Sequence, residues 1–404
     1  MLICVSSKIL GTKKHLLYHD GAYSWLSMVP DNAWVYGDES VIKSLDVLLD
    51  FFGIEKPTIE NQQHIRSFKV ISPDQHNIPW HAVLPAKQFQ KALTSLISVL
   101  ENALLCLSNS DYGKTLLDER EFLTNLSRAA IDIPLLSTYI DEEKNMTVKN
   151  TLATFRPLAD RMTDSIRYNQ AATVTGRLTV ASGPHVLTLP KKYRDIIKSR
   201  HQGGKIVQID FVSLEPRVAR YVSGSHAEFD VYTQLSNELF DSELTREQAK
   251  IAVLCALYGV SSRRLSKMLG ASFNAQSVIS EIKRFFGVFD LLKGVQKSLA
   301  STARFKNWFG REIEPDRSDD GALVNYYIQS TACDVALLGF IDLYKKIQKS
   351  NIRANPIFVI HDALILDIHG NDEEPLRELL AGGAVIPTLG SFPASLSIIK
   401  GSGV

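Results

Sequence analysis

Near its C-terminal end the chain reads NPIFVIHDALILDIHG, residues 355–370, and this stretch restricts the fold more than any other. From Phe358 to Ile368 it is almost wholly apolar, with several β-branched residues, which predicts a buried strand or a tight hairpin. Yet His361 and Asp362 stand in its middle. An ionised carboxylate inside an apolar element is costly unless hydrogen bonds or a cation meet it. Asp362 therefore needs a partner from elsewhere in the chain.

A second carboxylate lies in GGKIVQIDFVSLEPRVARYVSG, residues 203–224. Gly203 and Gly204 mark a turn, KIVQIDF is strand-like, and LEPRVARYVSG reads as a helix closed by Gly224. Asp210 thus falls at the end of a strand. It is about 150 residues from Asp362 in sequence. If the two meet in space, their repulsion calls for a cation between them. A third segment, TREQAKIAVLCALYG, predicts a helix capped by Thr245 and ended by Gly259. Arg246, Lys250, Leu254 and Tyr258 are spaced by four and share one face. Such a stripe suits a triphosphate and a base, or is simply a solvated face.

The rest of the chain is less specific. MLICVSS, HLLYHD and AWVYGD are short strand candidates, and VIKSLDVLLDFFG reads as a helix ending at Gly53. Pro57, Pro73 and Pro79 punctuate a polar stretch and suggest a boundary near residue 80. From Phe89 to Leu136 the pattern is helical. Leu93, Leu96, Ile97 and Leu100 give one amphipathic helix, and DEREFLTNLSRAAI a second with Asp118 as its N-cap. Residues 156–205 carry ten cationic side chains against three aspartates, a local charge of +7 in a chain whose net charge is only +1. Any nucleic-acid surface must therefore be local. Cys4, Cys106, Cys255 and Cys333 are scattered without metal-ligand spacing, which predicts reduced intracellular thiols. The N-terminus lacks the apolar core of a signal peptide, and no run of about eighteen apolar residues is seen, so no membrane span is expected.

Taken together, these segments resemble the family A DNA polymerases, over roughly residues 137–370. STYID and RYNQAATVTGRL are similar to the segment that opens the palm. QIDFVSLEPRVARYVSG resembles the first metal motif, and REQAKIAVLCALYG the fingers helix, with its Arg, its Lys four on, and Tyr-Gly beyond. NYYIQSTACDVALLGF resembles the palm helix and VIHDALILDI the last motif. The order of five motifs is far more specific than any one. The resemblance implies an α+β, right-hand polymerase fold: an antiparallel palm sheet, helical fingers and thumb, and a small N-terminal α/β region. It places the thumb at 81–155, the palm at 156–225 and 322–404, and the fingers at 226–321. Residues 1–80 are read as an exonuclease relic or a docking module.

The resemblance further implies a DNA-directed DNA polymerase that extends a primer 3′-hydroxyl with dNTPs by two-metal-ion phosphoryl transfer. Asp210, Asp362 and the backbone carbonyl of Phe211 hold two Mg²⁺ ions, for which Mn²⁺ substitutes. Arg246 and Lys250 grip the triphosphate, and Lys250 also serves as the catalytic acid. Glu215 bars a ribose 2′-hydroxyl, Leu254 and Tyr232 border the nucleotide, and Tyr258 and Gly259 lie by the templating base. Arg177, Gln329 and His361, with Asn325, read the minor-groove side of the primer end. Partners are primer-template DNA, dNTPs and replication accessory proteins. The expected state is a monomer, away from membranes, in the cytoplasm of a cell or of a phage's host.

Four positions depart from the pattern. Leu254 replaces an aromatic residue, Ala363 a glutamate, and Tyr232 a frequent histidine, while PHVLTLP lacks the usual Asn and Gln. Residues 1–100 contain no Asp-x-Glu, so no exonuclease is expected. Two other readings stay open. A single-subunit RNA polymerase shares the two aspartates and the Lys/Tyr-Gly helix, but Phe211 and Glu215 argue against it. A decayed polymerase kept for DNA binding draws on Ala363 and Leu254, and retention of Asp210, Asp362, Arg246 and Lys250 argues against it.

Overall fold

The computed structural model describes residues 1–56, 62–73, 78–258, 262–269 and 274–400. The chain divides into two compact units, 1–124 and 125–404. The first therefore extends well past the prolines near residue 80. Pro57 and Gly259 lie outside the described residues.

In the first unit, β1 (Leu2–Val5), β2 (His15–His19) and β4 (Trp34–Tyr36) fall on the three expected strands. The sheet also contains β3 (Ala22–Leu26), so that its order is β3-β2-β1-β4. The extra strand was hidden because four of its five residues are exposed and it has no alternation to read. Helix α1 (Leu45–Phe52) ends at Gly53, which takes the left-handed conformation (φ 63°) of a C-cap. Helix α2 (Ala86–Asn109) buries Leu93, Leu96, Ile97 and Leu100 along one stripe. By length and composition alone it is long and apolar enough to cross a membrane, contrary to the expectation from apolar runs; 39% of that window is buried within the fold.

The second helix of this pair corrects the sequence reading. α3 runs Gly113–Thr124, so Asp118 sits mid-helix and is not its N-cap. Ser110 closes the turn that leads into it: its Oγ accepts from Tyr112 N–H (3.2 Å) and its carbonyl from Gly113 N–H (3.1 Å), and the Tyr112 carbonyl then accepts the first helical bond, from Leu116 N–H (3.0 Å). Fully buried Tyr112 and Leu116 draw the helix start upstream. The remainder of the expected helix, beyond Thr124, leads into a two-residue strand, Ala130–Ile131.

The second unit is built on one antiparallel sheet. Its strands are β5 (Lys205–Phe211), β6 (Ala354–Ile360), β7 (Ala363–Ile368) and β8 (Ala394–Lys400), in the order β6-β7-β5-β8. Every residue of β7 is buried. One face of the sheet packs Ile206, Phe358, Ile360 and Ile365 with Phe155, Val186 and Tyr193. Toward the other lies a 30-residue helix, Asp320–Lys349, whose Phe340 stacks on Phe211 at 5.1 Å. Gly339 makes room for that ring, because a Cβ there would stand 2.6 Å from the Phe211 Cζ. Burial on both sides explains why the strands read as continuous apolar runs. Pro356, which has no N–H to donate, sits on edge strand β6 at a shift in register.

The helices that follow β5 are α4 (Leu214–Val222), α5 (Val231–Phe240) and α6 (Arg246–Tyr258), and the long helix is α7. α6 opens on a reciprocal cap: Thr245 Oγ1 accepts from Gln248 N–H (3.3 Å), and Gln248 Oε1 from Thr245 N–H (2.9 Å). Its buried face is Ala249, Ala252, Val253, Cys255, Ala256 and Leu257. Arg246, Lys250 and Leu254 are left on the exposed side.

Candidate active site

Backbone pairing brings the two aspartates together. In the β7–β5 ladder Ala363 stands opposite Asp210, and Ile360 pairs with Ala363 across the hairpin. His361 and Asp362 are thus the two-residue tip, directly beside the end of β5. Such a tip needs positive φ, usually supplied by Gly or Asn. Here His361 supplies it, at φ 56°, a conformation that costs about 1–3 kcal/mol in a side-chain-bearing residue. Ser213 is likewise left-handed (φ 53°) where the chain turns from β5 into α4. Both strained residues border the same cavity of about 530 Å³.

That cavity is lined by Asp210, Phe211, Glu215, Tyr232, Arg246, Lys250, His361 and Asp362, with Arg177 at its edge. Burial and the neighbouring charge of Asp362 raise the Asp210 carboxyl to about 6, against the opposing Gln208 amide (3.4 Å), Lys191 and Arg194. Two hard oxygen donors that repel one another suit a divalent cation. No cluster of three or more His, Cys, Asp or Glu with metal-binding geometry exists among the described residues. The donor set fits an ion that completes its shell with water and substrate phosphate, as Mg²⁺ does.

Glu215, in the first turn of α4, is held from two sides. Its carboxylate accepts from Arg177 Nη2 (3.2 Å) and from the Tyr258 hydroxyl. Burial lifts its pKa, with Arg177 opposing and Asp362 adding to the rise. The Gln329 amide, oriented to satisfy its neighbours, accepts from Arg177 Nε (3.3 Å) and Nη2 (3.1 Å) and donates to Thr175 (2.9 Å). Partial burial and the Arg177 cation hold His361 below its ordinary pKa. Arg177, Gln329, Glu215 and Tyr258 therefore form one network, with His361 facing it.

Arg246 and Lys250 enter from α6. The Arg246 Nε donates to Asp230 at 2.5 Å, and its guanidinium lies 5.4 Å over the Tyr232 ring. Tyr232 is buried, and its hydroxyl is pushed up to about 12 by that burial and the Glu215 charge. Lys250 has no hydrogen-bond or ionic partner among the described residues. Leu254, 36% exposed, does not line the cavity. Asn325 is not joined to the Arg177 network; its buried Oδ1 has no hydrogen-bond partner among the described residues.

Several cavity residues escaped the sequence reading. Ser395 on β8 lies opposite Asp210 and donates to its carbonyl (3.2 Å). Cys333 and Ala336 line the cavity from α7. Asp230 was legible in principle, as an Asp preceding a helical pattern. A deeper support is the pair Arg311–Asp334 (3.5 Å, side chains 5% and 1% exposed), with Asn307 donating to Asp334 at 2.6 Å. Arg311 also donates to the Gln170 carbonyl (3.1 Å) and packs under Gly176, next to Arg177.

Comparison with known proteins bears on the family and the fold. The profile of DNA polymerase family A matches residues 67–383. DNA polymerase I of Chloroflexus aurantiacus is 25% identical over 281 residues, 61% of this chain and 28% of that protein. DNA polymerase I of Bacillus subtilis is 23% identical over 283 residues, 62% of this chain and 32% of its own length. The chain thus spans about a third or less of the length of these curated relatives. A solved structure titled as the POL domain of Pol1 from M. smegmatis, in complex with DNA primer-template and dNTP, is similar with a TM-score of 0.66 at 14% identity. The match covers 99% of this chain and 95% of that one. This likeness shows the fold, which is α+β and of the right-hand polymerase type.

Proposed function

Because the chain belongs to DNA polymerase family A, we propose that it is a template-directed DNA polymerase that extends a primer 3′-hydroxyl with dNTPs. The observation that carries this reading is the strand register, which sets Asp362 beside Asp210 at the mouth of a cavity also lined by Arg246 and Lys250. In this reading residues 81–155 form the thumb, 156–225 and 322–404 the palm, and 226–321 the fingers.

Asp210, Asp362 and the Phe211 carbonyl would hold Mg²⁺, which when bound acidifies the primer hydroxyl and neutralises the pyrophosphate leaving group. The chain's own residues do the rest. Arg246 and the unpaired Lys250 bind the triphosphate, and Lys250 donates a proton to the departing pyrophosphate oxygen. Tyr232, a poor acid at this burial, keeps its proton and offers it as a hydrogen bond. Arg177, anchored by Gln329, presents its guanidinium to the minor-groove edge of the primer terminus with His361, where acceptors are common to all base pairs. Tyr258 ends the fingers helix beside the templating base.

Primer extension on a short DNA template with Mg²⁺ tests the reading. Extension with dNTPs that outpaces extension with ribonucleotides supports it. The reverse preference moves the chain to the transcribing enzymes, and no extension with either refutes the proposal.

Two further outcomes are expected in the same assay. Glu215 walls the nucleotide site near the sugar, so Glu215→Ala should raise ribonucleotide use relative to dNTP by about 10²-fold, roughly 3 kcal/mol of discrimination. Competition between the two sugars reads this directly. Leu254, outside the cavity but on the same face of α6 as Lys250, stands where the resemblance calls for an aromatic residue and brings neither a flat ring nor a hydroxyl. Dideoxynucleotides should therefore be used roughly tenfold less well than dNTPs, or worse. Frequent termination in an equimolar mixture contradicts that.

A further inference from the structure

We infer that Asp230 is a positioning residue: its carboxylate sets the Arg246 guanidinium for the triphosphate and so governs nucleotide affinity without touching the nucleotide. The inference rests on the reading above, in which Arg246 binds phosphate. A cation in the first turn of a helix opposes the helix dipole, so Arg246 gains nothing from α6 itself. It is fixed instead from α5. Asp230 Oδ2 accepts from Arg246 Nε at 2.5 Å, and the guanidinium lies over Tyr232.

Asp230 is in turn immobilised. Its Oδ1 caps α5 by accepting from Tyr232 N–H (3.0 Å), and Thr233 Oγ1 donates to Oδ2 (3.3 Å). The Arg246 side chain is half exposed (47%) and would otherwise sample many rotamers. Because Nε is committed to Asp230, the terminal nitrogens are left for the cavity that Arg246 lines, and among the described residues they make only a long contact, from Nη1 to the exposed Glu247 (3.4 Å). A planar guanidinium oriented in advance loses less freedom on meeting phosphate oxygens.

Two effects of removing the charge have opposite signs, which makes the inference testable. Loss of positioning weakens triphosphate binding. Loss of a nearby negative charge strengthens it. Asp230→Asn keeps a competent cap for α5. It should raise the KM for dNTP about tenfold and change kcat less than threefold. The inhibition constant of inorganic tripolyphosphate, which has neither base nor sugar, should rise by the same factor. Arg246→Lys keeps the charge but not the Nε donor, leaves α5 untouched, and should raise KM similarly. In an Arg246→Ala background, Asp230→Asn should add nothing further. A KM that is unchanged or lower in Asp230→Asn overturns the positioning role. An Arg246→Ala enzyme with unchanged KM and unchanged tripolyphosphate inhibition overturns instead the assignment of Arg246 to phosphate.

Discussion

Asp210→Asn should abolish primer extension while making the metal-free protein more stable at pH 8. The loss of rate is expected to be about 10³-fold or more, roughly 4 kcal/mol of barrier. It follows from removing one of the two carboxylates that the strand register sets near each other. The gain in stability follows from the same repulsion. The folded-state pKa of Asp210 is about 6, above its ordinary 3.8. Between those values the folded protein binds more protons than the unfolded chain, so stability is lost as pH rises through that window. Asparagine does not ionise and escapes the penalty. Allowing for screening of a partly exposed group, the gain is about 1 kcal/mol, or roughly 2 °C in melting temperature. It should vanish near pH 4. Added Mg²⁺ should stabilise the wild type by mass action and the variant far less. An Asp210→Asn protein that still extends primers refutes the site. One that is inactive but melts lower at pH 8 has lost its fold rather than its chemistry.

Asp334→Ala should produce the largest fall in stability. Asp334 and Arg311 are almost wholly inaccessible, and the aspartate also accepts from Asn307. Removing one partner of such a pair leaves a buried guanidinium without that carboxylate, at a cost of about 3–5 kcal/mol. For a unit of this size the melting temperature should drop by about 6–20 °C. Activity should fall at permissive temperature as well, because Arg311 underlies the turn that carries Arg177. Gly176 belongs to that turn, with φ 74°, and a Cβ there would meet the Arg311 guanidinium at 2.6 Å. A drop of less than about 1 kcal/mol in denaturant unfolding would show that the pair is dispensable.

How much of this was legible depended on the kind of signal. Asp362 and Asp210 were visible because a carboxylate interrupts an apolar strand, and that violation survives without any structure. The exposed face of α6 was visible as a four-residue spacing. The edge strand β3 was not, since exposed strands lack the alternation that burial imposes. The start of α3 was misplaced because a plausible cap at Asp118 outweighed the apolar positions upstream. The Arg311–Asp334 pair was invisible: its members are 23 residues apart and each looks like a surface charge. Only tertiary packing makes them a buried unit. Asp230 fell between these cases, readable as a cap but not as the anchor of an arginine 16 residues on.

The hairpin register has a bearing on how such a chain tolerates sequence change. The separation of the two aspartates is set by main-chain pairing, to which almost any apolar side chain contributes equally well. Substitution can run through most of β5, β6 and β7 without moving either carboxylate. Insertion or deletion of one residue cannot, because a single step turns every side chain of the strand to the opposite face. The address of the site is thus written in residue count rather than residue identity. Drift that leaves 14% identity with a similar fold need not disturb it, whereas one frame-preserving codon lost between Ala354 and Ile368 would.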